Sequence, residues 1–274
     1  MKLILFSKML KDCSIDELAD LAERLGIDGY DLAVRPGHPV HPGNVGEALP
    51  QAAATLRARG LDIPMITANT DLVDPTAAGV DPLLAAIASA GVPRVKLGYF
   101  KLDLSSDYWA AVDDCRAKLA AWSTKAQSHG VQVVYHTHSN RCMGLNSGML
   151  AHLLRGLDAR GVGAYLDTGH LTGEGEEFAV AVAMQKEHLS AVSLKDFLLQ
   201  REPVNGHGRK TRHVVEAGLG MTDFTAAFEC LHAMDYTGPA SIHCEFDVDK
   251  GDFAAAVERE AAFFVALRRG VFGI

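Results

Sequence analysis

The chain has 274 residues, of which 48% are hydrophobic, 22% charged and 7% aromatic. That is enough apolar material for a substantial core, and it excludes disordered, collagen-like and coiled-coil classes. A formal net charge of −8 without any block of like charge argues against nucleic acid as a partner, because phosphate neutralisation needs a basic face.

The first apolar run, Leu3-Ile4-Leu5-Phe6, stops at Ser7-Lys8. It falls short of the roughly 7–15 apolar residues of a secretory segment, and nothing approaches the roughly 20 that span a bilayer. No membrane partner is expected. Cys13, Cys115, Cys142, Cys230 and Cys244 are scattered, odd in number and without a C-x-x-C pair. A disulfide framework is not expected, and a cytoplasmic location fits best.

One short pattern then recurs along the chain. A helical segment ends, a glycine follows, and an aliphatic run begins, at Gly26, Gly60, Gly91, Gly130, Gly161 and Gly238. Glycine just past a helix closes the last turn in the left-handed conformation. The spacing holds one strand, one helix and two loops, and its repetition predicts parallel strands with crossover helices.

The helical stripes have the right period. Ser14-Ile15-Asp16-Glu17 is a capping box ahead of Leu18, Leu21, Ala22 and Leu25. Val45, Leu49, Ala52 and Leu56 form a second stripe, Val112 to Ala126 a third, and Phe253 to Leu267 the last. Thr222 is the expected N-cap of the helix carrying Phe224, Phe228 and Leu231. Strands are expected at residues 3–6, 28–33, 62–67, 92–98, 131–138, 164–167, 191–195 and 239–245. Eight strands alternating with helices and no composition break predict one closed (β/α)8 TIM barrel over residues 1–274, with an open doubly wound sheet as the competing topology.

The active site of such a barrel lies at the C-terminal mouth, so the residues ending the strands carry the functional signal. Strand two ends in Asp31 and is followed by Arg35 and His38; strand five ends in His136-Thr137-His138. Strand six ends in Asp167-Thr168-Gly169-His170, strand seven in Ser193-Leu194-Lys195-Asp196, and strand eight in His243-Cys244-Glu245. Side chains alternate faces along a strand, so His136 pairs with His138, Ser193 with Lys195, and His243 with Glu245. Val134, Leu194 and Ile242 are expected to face outward beneath helices. Imidazoles and carboxylates from different strands can hold a divalent ion, while a lysine or second carboxylate moves protons. The segment from Lys195 to Met221, with Arg201, Arg209, Lys210 and Arg212, reads either as a solvated loop or as a lid that clamps an anionic substituent. The proline-stiffened turn at Arg35-Pro36-Gly37-His38 reads either as a surface turn or as a substrate contact. Alanine-rich faces at 52–54 and 254–256 serve packing within the subunit or a homo-oligomer.

With Gly29-Tyr30-Asp31-Leu32, Asp167-Thr168-Gly169-His170, Ser193-Leu194-Lys195-Asp196-Phe197 and Gly218-Leu219-Gly220-Met221-Thr222, nearly the whole chain resembles the sugar phosphate isomerase/epimerase, or xylose-isomerase-like, TIM barrels. The resemblance implies a carbohydrate substrate and a divalent ion (Zn, Mn, Mg or Co) held by Glu, Asp, His and Glu from strands five to eight. Asp167 matches the Asp, and His170 matches a substrate-contacting His. The strand-five Glu falls on His136, the strand-seven His on Ser193 and the strand-eight Glu on His243. These departures imply a rearranged metal set of His136, Asp167, His243 and Glu245. More imidazole shifts the preference towards zinc. Glu245, Lys195 and His138 are then the candidate proton carriers, and Asp31, Arg35, His38 and His170 the candidate substrate contacts. The expected activity is isomerisation or epimerisation of a sugar or keto-sugar. The alternatives are a lyase or dehydratase with Lys195 as a Schiff base, and a non-catalytic carbohydrate-binding barrel. An endonuclease role, known in one branch of the family, is disfavoured by the charge.

Overall fold

The computed structural model describes residues 1–246 and 252–273. Its strands are β1 (Lys2–Phe6), β2 (Gly29–Ala33), β3 (Asp62–Thr67), β4 (Arg94–Lys96), β5 (Gln132–His136), β6 (Val162–Asp167), β7 (Leu189–Leu194), the pair β8 (Asp196–Val204) and β9 (His207–Val215), and β10 (Pro239–Ile242). The helices are α1 (Ile15–Leu25), α2 (Val45–Ala58), α3 (Val80–Ser89), α4 (Tyr108–Ser128), α5 (Ser147–Leu154), α6 (Thr168–Gly173), α7 (Phe178–Gln185), α8 (Phe224–Ala233) and α9 (Phe253–Phe272). All strands except β8 and β9 are parallel, and they close in the order β1-β10-β7-β6-β5-β4-β3-β2. This is the expected TIM barrel. Among the described residues no helix is long and apolar enough to cross a membrane. All five cysteines are free.

Local chemistry explains the element ends. Ser14 and Glu17 form the reciprocal capping box that starts α1, and Gly26 ends it at φ 68°. The cap of α8 is one residue later than expected: Asp223 accepts the Ala226 N–H at 2.9 Å. Gly29, at φ 141°, has no room for a side chain, since a Cβ there would lie 1.9 Å from the Asp62 carbonyl oxygen. It lets β2 run tight against β3 where their register shifts.

Two apolar layers hold the barrel. Leu3, Leu5, Tyr30, Val95, Leu194 and Ile242 face outward into the large core shared with the helices. Ile4, Met65, Val134, Tyr165 and Ala191 form a separate plug inside the barrel. Val134 therefore faces inward, against expectation; it lies two residues from His136 and must share its face.

The segment after Lys195 is not an open loop. β8 and β9 pair antiparallel across Asn205-Gly206, both with positive φ. Arg212 fastens the hairpin to the rim by reaching Glu174 (2.6 Å) and Asn140 (2.7 Å), and Lys210 donates to the Gly173 carbonyl. Its base is tied to the following loop by the buried Asp196 carboxylate, which accepts the N–H groups of Gly218 (3.0 Å), Gly220 (2.8 Å) and Thr222 (3.0 Å). The Asp of the Lys-Asp-Phe motif is thus a loop organiser.

Two predictions follow from buried carboxyls. Asp196→Ala strands three backbone donors, and chemical denaturation should show a loss of about 3 kcal/mol; an unchanged midpoint would refute the assignment. Glu260, on the inner face of α9, accepts the Ala217 N–H at 2.6 Å, and burial pushes its pKa from 4.5 up to about 8. A raised acid favours the folded state while it is protonated. Its contribution is complete below pH 4.5 and is lost as pH rises towards 8. Glu260→Gln, which keeps the acceptor, should therefore raise Tm more at about pH 9 than at about pH 5. Equal effects at both would contradict the buried neutral carboxyl.

Candidate active site

Directly above the apolar plug lies a polar layer built from inward-facing strand ends. Asp31, fully buried on β2, accepts Thr67 Oγ1 at 2.7 Å and Ser241 Oγ at 3.3 Å. The Tyr165 hydroxyl lies 3.3 Å from Asp31 Oδ2 and 3.0 Å from His243 Nε2, and its single proton can serve only one of them at a time. Burial raises the Asp31 pKa above the ordinary carboxylate value.

Asp167 ends β6 and caps α6. Its Oδ1 accepts the His170 N–H at 2.8 Å, and its Oδ2 accepts Ser193 Oγ at 2.8 Å. The rest of the Asp-Thr-Gly-His motif joins β6 to β7. Thr168 Oγ1 donates to the Lys195 carbonyl at 2.9 Å, and a Cβ on Gly169 would lie 2.8 Å from that same oxygen. His136 Nε2 approaches Asp167 Oδ2 to 3.2 Å.

The Lys195 ammonium, 5% exposed, sits between two carboxylates. Its Nζ is 2.5 Å from Glu245 Oε2 and 3.8 Å from Asp167 Oδ2, while Lys8 holds the other Glu245 oxygen. Burial opposes charge on all of these groups, and their mutual attraction overrides it. The Lys195 pKa is raised by Asp167 and Glu245. Asp167 is held well below the usual carboxylate range by His170, Lys195 and His136, and Glu245 is held below it by Lys195, His243 and Lys8.

Three imidazoles stand beside this charged cluster. Burial pushes His138 and His170 down to about 3 and His136 well below 6.5, so all three are uncharged at neutral pH. The His138 and His170 rings lie 4.0 Å apart, and His170 Nδ1 is 2.9 Å from Ser139 Oγ. The Tyr99 hydroxyl is 2.8 Å from His136 Nδ1. Above the Tyr99 ring, 3.8 Å from its centre, stands Lys96 Nζ.

These groups enclose a cavity of about 90 Å³ lined by Phe6, Lys8, Arg35, Thr67, Thr70, Lys96, Tyr99, His136, His138, Lys195, His243 and Glu245. Of the candidate residues, His136, His138, Lys195, His243, Glu245 and Arg35 line it. Asp31, Asp167 and His170 are not in its lining; they hold residues that are. His38 lies on the half-buried turn outside it. None of Arg201, Arg209, Lys210 and Arg212 reaches the cavity. Lys8, Lys96 and Tyr99 were not anticipated. Lys96 could have been read from the alternation in Arg94-Val95-Lys96, which puts it on the inner face at the end of β4. A larger groove of about 960 Å³ adjoins, sharing Thr70, Tyr99 and His138.

The structure brings the expected metal set of His136, Asp167, His243 and Glu245 to the mouth, with the Lys195 ammonium beside both of its carboxylates. Among the described residues no three His, Cys, Asp or Glu side chains are grouped so as to hold an ion. The place between Asp167 and Glu245, where a dication would be held, contains the Lys195 ammonium. His136 Nε2 and His243 Nδ1 are buried without a hydrogen-bond partner, but each faces one of the two carboxylates that Lys195 already neutralises.

The fold has known counterparts. The crystal structure of 3-keto-D-glucoside 4-epimerase from E. coli superposes with a TM-score of 0.75 at 17% identity, covering 97% of this chain and 99% of the other. The IOLI protein with a bound zinc atom matches with a TM-score of 0.78 at 15% identity over the full length of both. A probable 3-DHS dehydratase from Bacillus anthracis gives 0.72 at 16%, covering 97% and 99%. No curated protein sequence is a significant match. The family model described as the xylose isomerase-like TIM barrel matches residues 19–267, and the chain belongs to that family.

Proposed function

We propose that the mouth binds a small keto-sugar or related polyhydroxylated carbonyl compound and moves a proton at the carbon beside the carbonyl, as an isomerase or epimerase. The observation that carries this reading is the charge of the cavity. In a protein of net charge −8, Lys8, Arg35, Lys96 and Lys195 face the same small space, against Glu245 as the one lining carboxylate among the described residues. Removing a proton beside a carbonyl leaves negative charge on the carbonyl oxygen, and a dry, cation-lined cavity stabilises that charge.

Glu245, the lining carboxylate among the described residues, takes the proton. In the free protein it is stabilised by Lys195 and Lys8 and is a weak base. As the substrate oxygen becomes anionic it draws the Lys195 ammonium, and the basicity of Glu245 rises as that pairing loosens. The uncharged rings of His136 and His138 offer acceptors and donors to hydroxyl groups, and the adjoining groove gives the remainder of a longer substrate somewhere to lie. The similarity to a sugar epimerase structure supports this reading at the level of the fold. A dehydratase would share the same first proton removal and differ in the bond broken next.

In deuterated water, the protein should exchange the hydrogen beside the carbonyl of at least one keto-sugar in a panel followed by NMR. Glu245→Gln should slow that exchange by roughly 100-fold or more. No exchange with any member would refute the assignment, and loss of water from the substrate would point to the dehydratase. Because an ammonium occupies the position between the carboxylates, chelation should leave the exchange rate unchanged, and elemental analysis should find no stoichiometric divalent ion. Activity that vanishes with chelator and returns with a metal would overturn the ammonium reading.

A further inference from the structure

We propose that Lys96 is a nucleophilic amine that condenses with the substrate carbonyl, so that the carbonyl is activated as an iminium ion bound to β4. The inference rests on the carbonyl-compound reading above and puts an iminium nitrogen in place of the carbonyl oxyanion as the group that takes the electrons.

The three lysines of the cavity are not equivalent. Lys195 and Lys8 are each committed to Glu245. Lys96 is 2% exposed, lines the cavity, and among the described residues makes no ion pair or side-chain hydrogen bond. Its Nζ lies over the face of Tyr99, 3.8 Å from the ring centre. A buried ammonium without a bonded anion is strongly disfavoured, and the neutral amine is the form that attacks carbonyl carbon.

The charged groups that face Lys96 act in both directions. Asp31 on β2 and Glu245 after β10 favour its charge, whereas Arg35 after β2 and Lys195 after β7 oppose it; His136 on β5 and Tyr99 are uncharged neighbours. Burial is the largest influence, and the amine is brought down to about 7. A fraction of the protein is therefore ready to react at neutral pH, which is not true of Lys195.

The chemistry closes with the groups present. The lone pair of Lys96 Nζ forms a bond to the carbonyl carbon while the π pair moves to oxygen, which takes up the amine's proton. The carbinolamine hydroxyl takes a proton from solvent and leaves as water, giving the iminium. Its positive nitrogen draws electrons from the adjacent C–H bond. The proton passes to Glu245 and the electron pair becomes the C=C bond of an enamine. Return of the proton to the same carbon on the other face regenerates the iminium; addition of water then releases the epimerised carbonyl compound, restores the free amine and returns one proton to solvent. No oxidant or external reductant is needed. The iminium supplies the electron sink that a metal-bound carbonyl would otherwise provide.

The test combines trapping with isotope exchange on the intact protein. Wild type is incubated with each keto-sugar of the panel and sodium borohydride, then digested and mapped by mass spectrometry. One reduced adduct is expected, on Lys96, and its rate of formation should rise with pH through an apparent pKa of about 7. In ¹⁸O-labelled water the carbonyl oxygen should exchange faster with wild type than with Lys96→Arg, which keeps a cation but cannot condense. The arginine variant should also lose hydrogen exchange by roughly 100-fold or more. Hydrogen exchange without any Lys96 adduct, an adduct on Lys195 alone, or full activity in Lys96→Arg would overturn the inference while leaving the carbonyl reading standing. Absence of both exchange and adduct would remove the carbonyl reading and this inference together.

Discussion

Everything at the mouth of this barrel depends on the burial of one ammonium between two carboxylates. Lys195 reaches Glu245 at 2.5 Å and Asp167 at 3.8 Å with almost no solvent around it. Isolated buried charges are expensive, so each of these groups is tolerable only because the others are ionised and near. The pairing fixes the strand ends from which the residues come, since Asp167 closes β6, Lys195 follows β7 and Glu245 follows β10. It also sets the protonation states around it. The imidazoles of His136, His138 and His170 stay neutral because burial finds no anion left unpaired to charge them.

Parallel closure makes that arrangement possible. Strands that all run one way bring their C-terminal ends to one rim, so residues far apart in sequence share a cavity. The apolar plug of Ile4, Met65, Val134, Tyr165 and Ala191 supports the polar layer from below. Tyr165 belongs to both, with its ring in the plug and its hydroxyl between Asp31 and His243.

Much of this was legible in the residues, and the gaps have physical causes. The glycine-punctuated helix and strand pattern predicted the barrel, because that pattern reflects the local demands of helix ends. The convergence of His136, Asp167, Lys195, His243 and Glu245 followed from period-two alternation at known strand ends. Lys96 was overlooked because strand four ends before any motif, and a solitary lysine in a short apolar run carries no spacing signal. The β8–β9 hairpin was hidden by its charged, mixed composition, although Asn205-Gly206 is a strong turn signal. Metal expectation arose from the family's ligand positions. Three of those four positions carry different side chains here, and an ammonium stands between Asp167 and Glu245.

The plug beneath the polar layer also turns the barrel into a blind chamber. With its floor sealed by aliphatic and aromatic side chains, whatever settles in the polar layer arrives from the rim side and departs towards it, so the fold gives the chamber a front and no back.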